Sequence, residues 1–272
     1  MTKLKHTFKT DILFKLLFTK HPELLKRLVA QLLGITLESI TQFGIRNPEM
    51  TPEIIGKKFS RLDIVMTVSG QQVDLEVQVE DEGDYPERAM FYWARLFSNA
   101  LPAGGNYSEL PCTIIISIVD FILFECAEFH SEYQALEVTR HTPLSDKMAY
   151  YFYELPKLPK DVSNNDLLLL WLALFKANTE EELKQIQALG VPELTEAITA
   201  YHSVAASPEF QELERMRIKV QHDEAQALHN ERRKEKIEIA KKLIKRNRPI
   251  EEIIEDTGLT HAEIENLRDA DK

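Results

Sequence analysis

The chain has 272 residues, of which 44% are hydrophobic and 28% charged, so we expect a globular protein with one main domain and an appendage. A formal net charge of −11 disfavours a general nucleic-acid coat or a membrane-surface protein, although a local groove where metal offsets phosphate charge stays open. The presence of only two cysteines excludes a disulfide framework and a thiolate zinc site.

The sequence predicts neither a signal peptide nor a membrane span. The first ten residues, MTKLKHTFKT, lack an apolar run of signal-peptide length. The longest apolar block, Leu167 to Phe175, is far too short to cross a bilayer. We therefore expect a cytoplasmic protein with no membrane partner.

Two helices are predicted at the start of the chain. Apolar residues recur at helical spacing from Phe8 to Leu32, Pro22 divides the run, and Gly34 ends it. Asp11 and Lys15 fall on the polar side of the first helix. A solvated face explains both of them, although Asp11 would approach a metal if this helix packs near the strands that follow.

A hairpin is predicted next. Asp63 to Val68 has strand character, Ser69 to Gln72 has turn chemistry, and Val73 to Glu80 alternates apolar with polar residues. Residues two apart in a strand share a face, so one face carries the polar set Asp74, Glu76, Gln78 and Glu80. If the strands pair, Asp63 approaches Glu76 and Gln78, and such oxygen ligands suit a hard divalent cation. A half-buried strand with its polar side chains in water explains the same alternation. We expect Asp74 and Glu80 to be solvated neighbours of the site.

A helix and a buried strand are predicted after the hairpin. Along the helix, from about Pro86 to Leu101, Arg88, Tyr92 and Arg95 recur one turn apart. They form a stripe that could face a phosphate or cover apolar neighbours. Cys112 to Val119 is apolar on both faces, which is typical of a central strand. The coarse order is helix, three strands, helix and strand, and the last connection is long enough for parallel pairing.

This order resembles the core of the PD-(D/E)XK nucleases. Asp63 matches the first acidic residue of their motif, and Glu76-Val77-Gln78 matches the acidic-x-Lys triplet with Gln in place of Lys. More narrowly, the chain resembles the Rpn family of recombination-promoting nucleases and transposases. Ala100 stands where that family leads us to expect Gln. The match is carried in chain order by Asp11 to Phe18, Leu62-Asp63-Ile64, Glu76 to Gln78, Arg88 with Tyr92, Gly104 to Pro111, His130, and Tyr153 to Lys157.

The resemblance implies an α/β, restriction-endonuclease-like fold in which helices flank a mixed central sheet. It also implies a metal-dependent DNA endonuclease that acts in recombination or transposition. The cation, Mg²⁺ or alternatively Mn²⁺ or Ca²⁺, would be held by Asp63, Glu76 and the carbonyl of Val77. The catalytic candidates are Asp63, Glu76, Gln78, Arg88 and Asp11. Because an amide cannot neutralise developing charge, a catalytically weak or inactive DNA-associated module that keeps this fold stays open.

The remaining chain predicts a helical C-terminal extension. We expect residues 1–160 to form the nuclease-like core and residues 161–207 a helical layer packed on it. Residues 208–272 would form a long charged helix and a small helix-turn-helix-like module, in which Thr260 and Glu263 predict a capping box. The would-be reading helix is acidic near its start, which favours docking or homo-oligomerisation through the C-terminal helices over base reading.

Overall fold

The central element of the protein is a six-stranded mixed sheet. A computed structural model describes residues 2–46, 64–159 and 166–270. The strands are β1 (Phe43–Ile45), β2 (Ile64–Val68), β3 (Gln71–Gln78), β4 (Thr113–Val119), β5 (His130–Tyr133) and β6 (Met148–Glu154). They lie in the order β1-β2-β3-β4-β6-β5, in which β3, β4 and β6 are mutually parallel and the other pairs antiparallel. The predicted α/β class with a mixed central sheet is confirmed.

Helices make up most of the remaining described chain. In order they are α1 (Asp11–Lys20), α2 (Pro22–Leu32), α3 (Tyr85–Asn99), α4 (Leu167–Lys176), α5 (Glu180–Ala188), α6 (Pro192–Ala205), α7 (Pro208–Lys245), α8 (Ile250–Thr257) and α9 (His261–Ala270). The predicted division at Pro22 is confirmed, because α2 begins at that proline. No helix in the described part of the chain combines the length and apolarity needed to cross a membrane.

The hairpin between β2 and β3 is tighter than predicted. Its turn consists of Ser69 and Gly70 alone, both at positive φ (48° and 82°), the conformation that matches the twist of paired strands. Gln71 and Gln72, assigned from sequence to the turn, pair with β2 instead, and the amide of Gln72 also donates to Cys112 O at 2.8 Å. The strand therefore begins and ends two residues earlier than the alternation suggested.

The two faces of the sheet are covered by different helices. Val73, Leu75 and Ile116 belong to the larger core, which contains residues of α1, α2, α4 and α6. Ile115 and Phe152 belong to a smaller core with Tyr85 and Ala89 of α3. All seven residues of β4 are buried, which confirms the prediction of a central strand.

Two features near the core differ from the prediction. Lys15, placed from sequence on a solvated side, is only 2% exposed, because α1 is buried on almost every side between Ile12 and Phe18. Strand β5, His130–Tyr133, was not predicted at all. Among the described strands it pairs with β6 alone, at the edge of the sheet, where a polar sequence is tolerated.

The chain divides into two compact units, Met1–Glu214 and Arg215–Lys272. The second unit has its own small core of Ala240, Ile253, Leu259 and Ile264, contributed by the end of α7, by α8 and α9, and by the turn between them. The predicted capping box is present, since Thr260 N donates to Glu263 Oε2 at 2.8 Å and Glu263 N donates to Thr260 Oγ1 at 3.4 Å. The three-part division predicted from sequence stays a prediction.

Candidate active site on strand β3

Strand β3 buries two carboxylates on the face of the sheet that α3 covers. Asp74 and Glu76 are each 2% exposed, and they lie beside Ile115 and Ser117 of β4 in the parallel register. The prediction that Asp74 is solvated is therefore wrong, because α3 and not water covers this face. Glu80, which follows the end of the strand, is exposed as predicted.

Glu76 accepts a hydrogen bond from the helix above it. The hydroxyl of Tyr85 donates to Glu76 Oε2 at 3.0 Å, and the Tyr85 side chain is fully buried. Tyr85 is the first residue of α3, and it follows a turn in which Gly83 adopts φ 80°. This turn reverses the chain after β3, so that the start of α3 lies over the strand it has just left.

Arg88 lies one helical turn after Tyr85. Its Nη1 donates to Glu82 Oε2 at 2.7 Å, and its Cζ lies 4.8 Å from the centroid of the Tyr85 ring. The side chain is 14% exposed, and its Nε and Nη2 are buried with no hydrogen-bond partner in the part of the chain that the structure describes. These two nitrogens form one edge of the guanidinium, the edge that binds carboxylates and phosphates in a bidentate manner.

Gln78 ends β3. Its side-chain Nε2 donates to Glu80 O at 2.8 Å, and its main-chain oxygen accepts from Asp120 N at 2.9 Å. Since successive carbonyls of a strand point to opposite sides, the carbonyl of Val77 points away from β4 and towards the side of β2. That carbonyl is therefore not used in the ladder between β3 and β4.

Asp11 begins α1, and an ion pair holds this region at the same edge of the sheet. Lys9 Nζ lies 2.7 Å from Asp120 Oδ2 and 3.3 Å from Asn178 Oδ1, and Lys9 is nearly fully buried. Asp120 directly follows β4 and binds the main chain of Gln78. The start of α1 therefore lies at the carboxyl ends of β3 and β4, while a catalytic role for Asp11 stays a prediction.

Asp63, the second carboxylate of the predicted metal site, lies outside the described residues. The described part of β2 begins at the next residue, Ile64, which pairs with Leu75. Within residues 2–46, 64–159 and 166–270, no three His, Cys, Asp or Glu side chains converge as a metal centre requires. The buried carboxylate of Glu76 and the carbonyl of Val77 are nevertheless the oxygen donors that a hard divalent cation takes, so these residues fit such an ion.

Three further polar side chains on this face were not predicted. Thr113 and Ser117 of β4 are fully buried, Tyr150 of β6 is nearly so, and none of their hydroxyls has a hydrogen-bond partner among the described residues. Burial raises the pKa of Tyr150 to about 12. Ser117 had a signal in the sequence, since it interrupts an otherwise apolar run of six residues from Ile114 to Val119.

Comparisons with known proteins identify the family. A family model described as "PD-(D/E)XK nuclease family transposase" matches residues 8–231, a range that includes the whole sheet and α1 to α6 and ends within α7. Searches of curated proteins and of solved structures found no match. Because the family model covers most of the chain, the protein belongs to the PD-(D/E)XK nuclease family transposases.

Proposed function

We propose that the protein is a divalent-metal-dependent DNA endonuclease linked to recombination or transposition. Because the protein belongs to a nuclease family, the most general form of this proposal is a hydrolase that acts on nucleic acid. The observation that carries the proposal is the placement of Glu76. It is a buried carboxylate in an acidic-x-Gln triplet, it accepts a hydrogen bond from Tyr85, and Tyr85 lies under the Arg88 guanidinium.

Glu76, the carbonyl of Val77 and Asp63 would hold the cation, which we propose to be Mg²⁺, with Mn²⁺ or Ca²⁺ as alternatives. When bound, such a cation supplies polarisation of the phosphoryl oxygen and lowers the pKa of a bound water. Burial of Glu76 between sheet and helix strengthens its attraction for a cation, because the surrounding dielectric is lower than that of water. Asp11 would add a carboxylate at the same edge of the sheet.

Arg88 and Gln78 would act on the substrate and the attacking water. The Nε and Nη2 edge of Arg88, which has no hydrogen-bond partner among the described residues, is suited to two oxygens of one phosphate. It would replace part of the charge of the missing Lys. The amide of Gln78 would orient the water by hydrogen bonding, with its own orientation fixed by the bond to Glu80 O. Together they would position the phosphate and the nucleophile.

Gln78 also favours the second candidate, a DNA-associated module without effective turnover. Its Nε2 already donates to a main-chain oxygen of the next turn, and an amide carries no charge to offset the one that develops on the phosphate. In that case the protein would bind DNA and a cation but would not cleave.

The test is nicking of supercoiled plasmid DNA in Mg²⁺, Mn²⁺ or Ca²⁺. We expect Glu76→Gln and Asp63→Ala each to lower the metal-dependent rate by roughly 100-fold or more, as loss of a transition-state contact does. Glu80→Gln is the matched control, since it removes an exposed carboxylate four residues further on and should leave the rate unchanged. DNA binding without nicking would support the second candidate. Equal nicking by the wild type, Glu76→Gln and Asp63→Ala would contradict a nuclease site here.

A further inference from the structure

We propose that Tyr85 is the positioning residue that fixes the carboxylate of Glu76 for cation binding, an inference that rests on the proposed function. The contact is internal and within hydrogen-bonding distance, since the Tyr85 hydroxyl lies 3.0 Å from Glu76 Oε2 and both side chains are buried. A carboxylate buried in a sheet needs a donor, because an uncompensated charge there is costly. Tyr85 supplies that donor from the opposite layer.

The ring of Tyr85 is held on several sides, so its hydroxyl has one position. Phe121 and Phe152 contact the ring edge-to-face, with centroids 6.1 Å and 6.3 Å away. The Arg88 guanidinium lies 4.8 Å from the ring centroid and is itself bonded to Glu82. Aromatic and cation–π contacts of this kind favour a single ring orientation.

The consequence for Glu76 follows from the geometry of a carboxylate. Each of its two oxygens accepts more than one bond, so a hydrogen bond to Oε2 leaves the group able to bind a cation. The bond does, however, restrict rotation of the carboxylate plane. Groups that hydrogen-bond to a metal-binding carboxylate in this way raise metal affinity by keeping the ligand in its binding orientation.

Tyr85→Phe isolates this role because it removes only the hydroxyl and keeps the ring contacts. We expect Mn²⁺ to bind the variant about 10- to 100-fold more weakly than the wild type in isothermal titration calorimetry without DNA. The nicking rate should fall at low Mn²⁺ and recover in part when Mn²⁺ is raised. Far-ultraviolet circular dichroism should stay close to that of the wild type, whereas the melting temperature without metal should fall, because the variant leaves the buried carboxylate of Glu76 without this donor.

Tyr150→Phe is the matched control. Tyr150 is another buried tyrosine on the same face, and its hydroxyl has no hydrogen-bond partner within the described chain. This variant should bind Mn²⁺ with wild-type affinity. A Tyr150→Phe variant that weakens Mn²⁺ binding as much as Tyr85→Phe would overturn the proposal, because the effect would then come from packing.

Glu76→Gln distinguishes a failure of the positioning role of Tyr85 from a failure of the metal site. If Glu76→Gln loses Mn²⁺ binding and Tyr85→Phe keeps wild-type affinity, the positioning role of Tyr85 is wrong while the proposed function stands. If the wild type does not bind Mn²⁺, or Glu76→Gln binds it as the wild type does, the proposed metal site is wrong. The positioning role of Tyr85 is then wrong as well.

Discussion

The two faces of strand β3 carry side chains of opposite kinds at nearly equal burial. Val73 and Leu75 on one face are fully buried among apolar residues, and Asp74 and Glu76 on the other face are buried beneath α3. Burying a Leu or Val side chain contributes about 1.5–3 kcal/mol to stability, whereas a buried carboxylate adds stability only if hydrogen bonds or ion pairs offset the cost of removing its charge from water. The apolar face therefore contributes more to stability than the polar face, and the proposed site would account for the two carboxylates on the polar face.

Neighbouring residues of β3 allow the sharpest test of this difference. Leu75→Ala should lower the free energy of unfolding by about 2–5 kcal/mol, because it leaves a cavity in the larger core. Glu76→Gln should change it by less than about 1 kcal/mol, because it keeps the shape while removing a buried charge. Urea denaturation of both variants, followed by fluorescence, measures the two values. A loss with Glu76→Gln as large as that with Leu75→Ala would make the carboxylate a structural element.

A carboxylate that has a lysine counter-ion lies on the same face as Glu76 and should behave differently. Glu154 lies beside Val119 in the register, is fully buried, and binds Lys157 Nζ at 2.7 Å; it also accepts hydrogen bonds from Leu123 N and Phe124 N. Lys157→Met should lower the free energy of unfolding by about 3 kcal/mol, because it leaves the carboxylate of Glu154 buried without its counter-ion. Adding Glu154→Gln to that variant should restore part of the loss, as a double-mutant cycle in urea would show. Full additivity of the two losses would contradict a coupled pair.

The same pair predicts a pH dependence. Burial by itself lowers the pKa of Lys157, but its hydrogen bond and attraction to Glu154 together raise it above its ordinary value of 10.5. A raised pKa means that the folded state holds the proton more tightly, so this stabilisation is fully present below pH 10.5 and is lost as the pH rises beyond it. Lys157→Met should therefore show a flatter decline of stability above that pH than the wild type.

The elements around the site were predictable because they depend on local pattern. Alternation along β3, the Ser69-Gly70 turn and the apolar run of β4 are signals that neighbouring residues set by themselves. Burial of Asp74 was not predictable, since the same alternation appears when the polar face meets water. What decides it is the return of α3 over β3, which depends on contacts such as that from Tyr85 to Glu76.

Lys15 and β5 illustrate the same limit. Lys15 is a charged residue in a helix that is buried on nearly every side, and helical periodicity assigned it to water because it describes one element at a time. The short polar strand β5 forms because the main chain of β6 pairs with it, and the residues of β5 give no strand signal of their own. Both errors arise where a neighbouring element, and not the local sequence, determines the environment.

A substitution at Ser117 should give the smallest change in the free energy of unfolding. It tests whether a buried hydroxyl on the polar face, which lacks a hydrogen-bond partner among the described residues, lowers stability. Its hydroxyl is fully buried, has no hydrogen-bond partner in the described chain, and lies beside Glu76 in the register. Ser117→Ala should therefore leave the free energy of unfolding unchanged or raise it by up to about 1 kcal/mol. Thr113→Val is the matched control for stability, since it removes another hydroxyl of β4, four residues away, that has no hydrogen-bond partner among the described residues.

The two variants should differ once a cation is present. If the Ser117 hydroxyl serves the site next to Glu76, Mn²⁺ should raise the melting temperature of Ser117→Ala by less than it raises that of the wild type and of Thr113→Val. An equal rise in all three proteins would assign the Ser117 hydroxyl no part in cation binding. A large loss of stability in Ser117→Ala without metal would show that the hydroxyl supports the fold. The polar and apolar faces of the sheet would then differ less in their contribution to stability than their side chains suggest.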